Sequence, residues 1–130
     1  MKIEQLYQLY LQYPFIQTDT RKIKEGDIFF ALKGPNFNGN LFARQALEKG
    51  AKYAVVDELI DETTNPQIIQ VNDVLSTLQQ LAKHHRQQFK IPFIAITGSN
   101  GKTTTKELVS TVLATHFSTY TTQGNLNNHI

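Results

Sequence analysis

Ile94-Ala-Ile-Thr-Gly-Ser-Asn-Gly-Lys-Thr-Thr-Thr-Lys-Glu107 is the stretch whose reading decides the fold. A run of strand-forming residues enters a glycine-bearing turn that ends in Gly101-Lys102-Thr103, and a helical pattern begins at once. Backbone N–H groups of such a turn point inward, and the helix N-terminus adds partial positive charge. An ammonium at Lys102 reaches the β- and γ-phosphates of a nucleotide, and a hydroxyl at Thr103 can ligate Mg²⁺. The layout therefore predicts ATP chemistry. Lys102 and Thr103 are the catalytic candidates, and Thr103 is the metal candidate. Thr97, Gly98, Ser99, Asn100, Gly101, Lys102, Thr103 and Thr104 are the candidate ATP contacts. The common G-x-x-x-x-G-K-[ST] pattern has a first glycine where this chain has Ile96. The form here is shorter, with Gly98 three residues before Gly101, and both positions allow positive φ and close anion approach. The bland alternative is a strand–turn–helix corner that uses Gly98 and Asn100 only to turn.

Outward from this loop, the pattern alternates helices and strands. Ile3, Leu6, Tyr7 and Tyr10 fall at helical spacing, and Pro14 closes that helix. Phe15 to Thr18 and Ile28 to Leu32 read as short strands around the Lys24-Glu-Gly-Asp27 turn. Residues 35–40, Pro-Asn-Phe-Asn-Gly-Asn, read as a loop, and Leu41 to Lys49 as a helix closed by Gly50. Strands are expected at Tyr53 to Asp57 and Ile68 to Val71, with a surface turn at Thr63-Thr-Asn-Pro66. Asn72 or Asp73 caps a long helix whose apolar stripe runs from Val74 to Phe89. Residues 86–92 read as a passage between domains, with boundaries at 1–88 and 89–130. Ile91 to Thr97 is continuously apolar, as a strand covered on both faces should be. Leu108, Val109, Val112 and Leu113 form the expected buried side of the following helix, and Ser118 to Thr122 the next parallel strand. The expected fold class is α/β: a small amino-terminal α/β domain, then the beginning of a P-loop, doubly wound parallel-sheet ATPase domain.

Two further polar clusters follow strands. Thr18, Asp19, Thr20 and Arg21 gather where loops carry function on a rigid scaffold. Arg21 there is either a bidentate phosphate partner or the local ion-pair partner of Asp19. Asn125, Asn127, Asn128 and His129 follow Gly124, and amides of this kind bridge phosphates and metal-bound waters without adding charge. His84 and His85 have no further metal ligand at useful spacing and read as surface or partly packed residues. His116 lies near a helix C-terminus, where the dipole accounts for it.

These motifs together resemble the Mur ligases, ATP-dependent amide-forming enzymes that build the peptide of the bacterial cell-wall precursor. Thr18-Asp-Thr-Arg-Lys-Ile-Lys-Glu-Gly-Asp-Ile-Phe-Phe-Ala-Leu-Lys-Gly34 is similar to the signature of the family's amino-terminal domain. Gly101-Lys-Thr-Thr-Thr-Lys-Glu107 and Gly124-Asn-Leu-Asn-Asn-His-Ile130 are most similar to the members that join D-alanyl-D-alanine to UDP-N-acetylmuramoyl-tripeptide. The resemblance implies that Thr18, Asp19, Thr20, Arg21, Lys33, Gly34, Asn38, Gly39 and Asn40 hold the uridine-diphosphate end of that substrate. Asn38 and Asn40 stand where the family often shows an acidic residue and a histidine. It places Asn125, Asn127, Asn128 and His129 beside the nucleotide, and it implies ATP and Mg²⁺ as cofactors. It also implies a piece of a longer, three-domain enzyme, which binds ligand without turning over. Alternatives are a relative with another acceptor (an amino acid, folate or cyanophycin) and a non-catalytic nucleotide-binding module.

Bulk composition is compatible with all of these. The 130 residues carry 40% apolar side chains and a net charge of +2, which supports a core and generates no polyanion-binding field. The absence of cysteine excludes a disulfide framework and thiolate metal sites, and fits a reducing compartment. The start lacks the pattern of a signal peptide, and no apolar run reaches the ~20 residues that span a bilayer. A cytoplasmic monomer with no nucleic-acid or membrane partner is the expectation.

Overall fold

Side-chain alternation organises the first part of the chain. The computed structural model describes residues 1–58 and 65–122, and it divides into two compact units, Met1–Phe89 and a second beginning at Lys90. The first unit is built on four short strands: β1 (Ile16–Gln17), β2 (Ile28–Phe30), β5 (Tyr53–Val56) and β6 (Ile68–Gln70). They form one sheet in the order β1-β2-β5-β6, and every pairing is parallel. Register is set by Ile16 beside Ile28, Phe29 beside Ala54, and Val55 beside Ile69. A parallel sheet needs cover on both faces, and β2 and the buried part of β5 are apolar at every position.

Successive residues of β2 and β5 point to opposite faces. Ile28, Phe30 and Val55 join Leu6, Tyr7, Ile69, Val74 and Leu81 in one core, under helices α1 (Ile3–Gln12) and α3 (Val74–Gln87). Phe29, Ala54 and Val56 join Ala31, Ala43, Ala46 and Ala51 in a second core, under α2 (Ala43–Glu48). The alanines of this second core bring the α2 backbone close to the sheet. The result is a three-layer α/β/α unit, with Tyr7 of α1 donating or accepting a 3.2 Å bond with His85 Nδ1 of α3. His84 and His85 are half-buried against the Tyr7 and Tyr10 rings, and among the described residues no group of three metal-ligating side chains gathers.

Element boundaries follow local chemistry. Asp73 caps α3, its carboxylate accepting the Ser76 N–H at 2.6 Å. Gly50 ends α2 at φ +105°, where its N–H bonds Leu47 O and that of Ala51 bonds Ala46 O, a Schellman closure. Two sequence expectations are revised here. The loop at residues 35–40 is a hairpin of β3 (Lys33–Gly34) and β4 (Phe37–Asn38), followed by a 3₁₀ turn at Gly39–Phe42. The helix expected from Leu41 therefore starts two residues later, because the 3₁₀ turn uses its first positions. The turn expected at residues 63–66 lies largely outside the described residues.

In the second unit the described residues contain one helix, α4 (Lys102–Ala114), and no strand. Ile91 to Thr97 and Ser118 to Thr122 were expected as strands, and neither is assigned to a strand ladder among the described residues. A strand is a hydrogen-bonded ladder, so an apolar run becomes one only beside a partner. Among the described residues the apolar side of α4 is only partly covered: Leu108 and Val112 are exposed, and Val109 and Leu113 are half-buried. No helix among the described residues is long and apolar enough to cross a membrane.

Gly39 tests the packing of the first unit. A Cβ there would lie 2.4 Å from Leu32 O and 2.7 Å from Ala31 C, both main-chain atoms that cannot swing aside. Gly39→Ala should destabilise the unit by about 1–3 kcal/mol in urea denaturation.

Candidate functional site

Polar groups converge at the carboxyl end of β5. Asp57, with a side chain only 4% exposed, accepts the Asn40 Nδ2–H at 2.8 Å and the Lys33 ammonium at 3.0 Å through Oδ1. Its Oδ2 accepts the backbone N–H of Val74 at 3.2 Å, the first residue of α3. That N–H has no partner inside the helix, and negative charge there is favoured by the helix dipole. Asn40 answers by accepting the N–H of Asp57 at 3.1 Å, while its amide also donates to Asn38 Oδ1 at 2.9 Å. Glu58 accepts from Lys33 at 3.0 Å and from Asn38 Nδ2 at 2.8 Å. Burial alone would raise the Asp57 pKa, but the bonds from Asn40, Lys33 and Val74 outweigh it and leave it lowered. Glu58 is lowered by Asn38 and then Lys33, and Lys33 is raised by Glu58 and then Asp57.

This network gives several expected ligand contacts a structural duty. Asn40 is buried with both amide protons and its oxygen engaged, and Gly39 is required by close packing. Asn38 and Lys33 are tied to carboxylates, yet Lys33 keeps 41% of its side chain in solvent. Gly34 has open space where a Cβ would stand, so nothing in the fold requires glycine there. Asp57 and Glu58 escaped the sequence reading. The available signal was a carboxylate at the carboxyl end of a parallel strand, the usual place for a site in open α/β sheets.

Thr18, Asp19, Thr20 and Arg21 line one groove of about 490 Å³ together with Phe37 and Phe42. Arg21 grips Asp19 with two guanidinium nitrogens, Nη2 to Oδ2 at 2.7 Å and Nε to Oδ1 at 2.9 Å. The Arg21 N–H adds a third bond to Asp19 Oδ1 at 3.0 Å. These bonds hold the Asp19 carboxyl well below the usual range. The local ion pair is therefore formed, while the Arg21 side chain remains 84% exposed with donors to spare. Lys49, just past α2, donates to Thr20 O at 3.1 Å and steadies the loop from behind.

In the second unit, Gly98 and Gly101 have φ of +154° and +74°, conformations that favour glycine. Gly101 is the N-cap of α4 and offers no side-chain acceptor, so the first-turn N–H groups are left free for an anion. Lys102 folds back over the turn, its ammonium donating to Gly98 O at 2.6 Å. Thr97, Ser99, Asn100, Thr103 and Thr104 are all exposed on or beside this turn. Asn125, Asn127, Asn128 and His129 lie outside the described residues.

Residues 12–86, more than half of the chain, match the model of the Mur ligase family catalytic domain, and residues 96–130 match the Mur ligase middle domain. The chain belongs to the Mur ligase family. It is 43% identical over 116 residues, or 88% of its length, to the UDP-N-acetylmuramoyl-tripeptide–D-alanyl-D-alanine ligase of Bacillus subtilis. Its identity to the Escherichia coli ligase of the same name is 42% over 115 residues. It spans 25% of each of these relatives. Among solved structures, MurF from Acinetobacter baumannii superposes with a TM-score of 0.81 at 39% identity, covering 90% of this chain and 26% of that one. MurF ligase from Thermotoga maritima, in complex with ADP, superposes at 0.77 with 33% identity, covering 87% and 26%.

The Asp57 network makes a signed prediction about pH. Because the folded pKa lies below the ordinary aspartate value of 3.8, its stabilisation is present at neutral pH. It fades as pH falls below that value and through the lowered folded pKa. Asp57→Asn turns an amide donor toward the Val74 or Asn40 N–H groups. The variant should lose about 1–3 kcal/mol at pH 7 and show a shallower acid loss than the parent, read from melting curves between neutral and strongly acidic pH.

Proposed function

We propose that the protein carrying this chain is an ATP-dependent ligase that joins D-alanyl-D-alanine to UDP-N-acetylmuramoyl-tripeptide in peptidoglycan synthesis. The observation that carries this reading is the pair of relatives above, which bear that name at 43% and 42% identity. A 2,6-diaminopimelate-adding relative from Syntrophomonas wolfei reaches 36% over 75% of the chain, which ranks that acceptor second. The chain corresponds to about a quarter of such enzymes, so catalysis is assigned to the longer polypeptide and ligand capture to this part. The protein acts as a cytoplasmic monomer in this reading.

A carboxylate is a poor electrophile, so the ligase first transfers the γ-phosphoryl group of ATP to the substrate carboxylate. That yields an acyl phosphate and ADP. The dipeptide amine then attacks the acyl carbon, and inorganic phosphate leaves with the bonding pair. The protein contributes position and charge stabilisation. Lys102 releases Gly98 O to meet the β- and γ-phosphates, while the free N–H groups of the α4 first turn hold the polyphosphate. Thr103, exposed in that turn, is the hydroxyl suited to Mg²⁺, which neutralises phosphate charge when bound. Thr18, Thr20 and Arg21 take the uridine-diphosphate end, with Lys33 and Asn38 beside it. Asn125, Asn127, Asn128 and His129 complete the region around the sugar diphosphate.

The full-length polypeptide should release ADP only when UDP-N-acetylmuramoyl-tripeptide and D-alanyl-D-alanine are both present. Diaminopimelate-dependent release with the shorter muramoyl dipeptide would instead establish the second acceptor. Lys102→Ala should lower kcat by about 10²–10³, with UDP-substrate binding retained in calorimetry.

A further inference from the structure

Phe37 is placed where its own solvation gives no reason for it. The residue is 49% exposed and belongs to neither hydrophobic core. It lies on Phe42, with centroids 5.4 Å apart and planes within 11°, and Phe42 in turn packs on the alanine-rich core. The hairpin beneath Phe37 is clamped, since its two paired residues Lys33 and Asn38 are held by Asp57 and Glu58. The outer ring is therefore a fixed, backed, flat apolar face. The same groove holds the hydroxyls of Thr18 and Thr20, which have no partner among the described residues, and the exposed Arg21 guanidinium. A flat face, hydroxyls and a cation in one groove match a planar heterocycle, a ribose and a diphosphate.

We propose that Phe37 is a substrate-binding residue on whose exposed face the uracil ring of the nucleotide-sugar stacks, with Phe42 as its backing. The assignment rests on the nucleotide-sugar reading of the groove. Ring–base stacking is sequence-tolerant, so Phe37 supplies affinity for a planar base, and the Thr18 and Thr20 hydroxyls face the ribose.

The test is UDP titration of the full-length polypeptide by calorimetry, with saturating ADP present so that the phosphate loop is filled. Phe37→Leu should weaken UDP about tenfold, while Phe37→Tyr, which keeps the ring, should bind like the parent. These 130 residues contain no tryptophan, so Phe37→Trp adds a local reporter. Its added fluorescence should be quenched by UDP along the calorimetric isotherm. If the parent binds UDP, but Phe37→Leu binds equally well and the new tryptophan is not quenched, the stacking role is wrong and the nucleotide-sugar reading survives. If the parent binds no uridine nucleotide at all, both fall together.

Discussion

The buried carboxylate of Asp57 is the constraint around which the first unit is arranged. A charge that is 96% removed from solvent must be met on every side, and three other parts of the chain meet it. The end of β5 carries it, the 3₁₀ turn supplies Asn40, the β3–β4 hairpin supplies Lys33, and α3 supplies its first free N–H. None of these segments is adjacent in sequence to all the others. The helix that covers one face of the sheet and the hairpin that walls the groove therefore share one electrostatic anchor. Polar networks of this kind are costly when incomplete, so they hold their members to one geometry.

Packing explains why the groove sits where it does. The second core is made largely of alanines, so α2 lies close to the sheet, and the chain entering it must turn tightly. Gly39 makes that turn possible, with main-chain atoms where any side chain would stand. The turn then delivers Phe42 against the core and Phe37 against Phe42. On the facing wall, the loop from Thr18 to Arg21 is braced internally by the Asp19–Arg21 fork and externally by Lys49. Rigid walls of this kind suit a ligand held in one orientation, because little remains to be ordered on binding.

The turn from Gly98 to Gly101 is held by a different logic. Its conformation is local, set by positive φ at Gly98 and Gly101 and by the start of α4. Lys102 already lies across the loop, on Gly98 O. This loop keeps its form although no strand is assigned in the preceding Ile91 to Thr97, since turn glycines and a helix N-terminus require no long-range partner.

That contrast separates what the amino-acid sequence by itself determined from what only the tertiary structure decided. Helices α1 and α3, a cap at Asn72 or Asp73, the Gly50 closure and the Gly-Lys-Thr turn were all legible, because each depends on residues within a few positions of one another. The family likeness was legible for the same reason, being carried by short motifs. The lengths of the strands, the hairpin at residues 33–38 and the partial exposure of the apolar face of α4 among the described residues were not, since each depends on what lies opposite. Asn40 reads in sequence as a polar loop residue free for a ligand. Only the folded chain brings it to Asp57, seventeen positions away, and saturates it. Phe37 reads as a loop aromatic, and only the stack on Phe42 makes it a wall. Local sterics and periodicity are written along the chain, whereas pairing, burial and charge compensation exist only between segments that folding brings together.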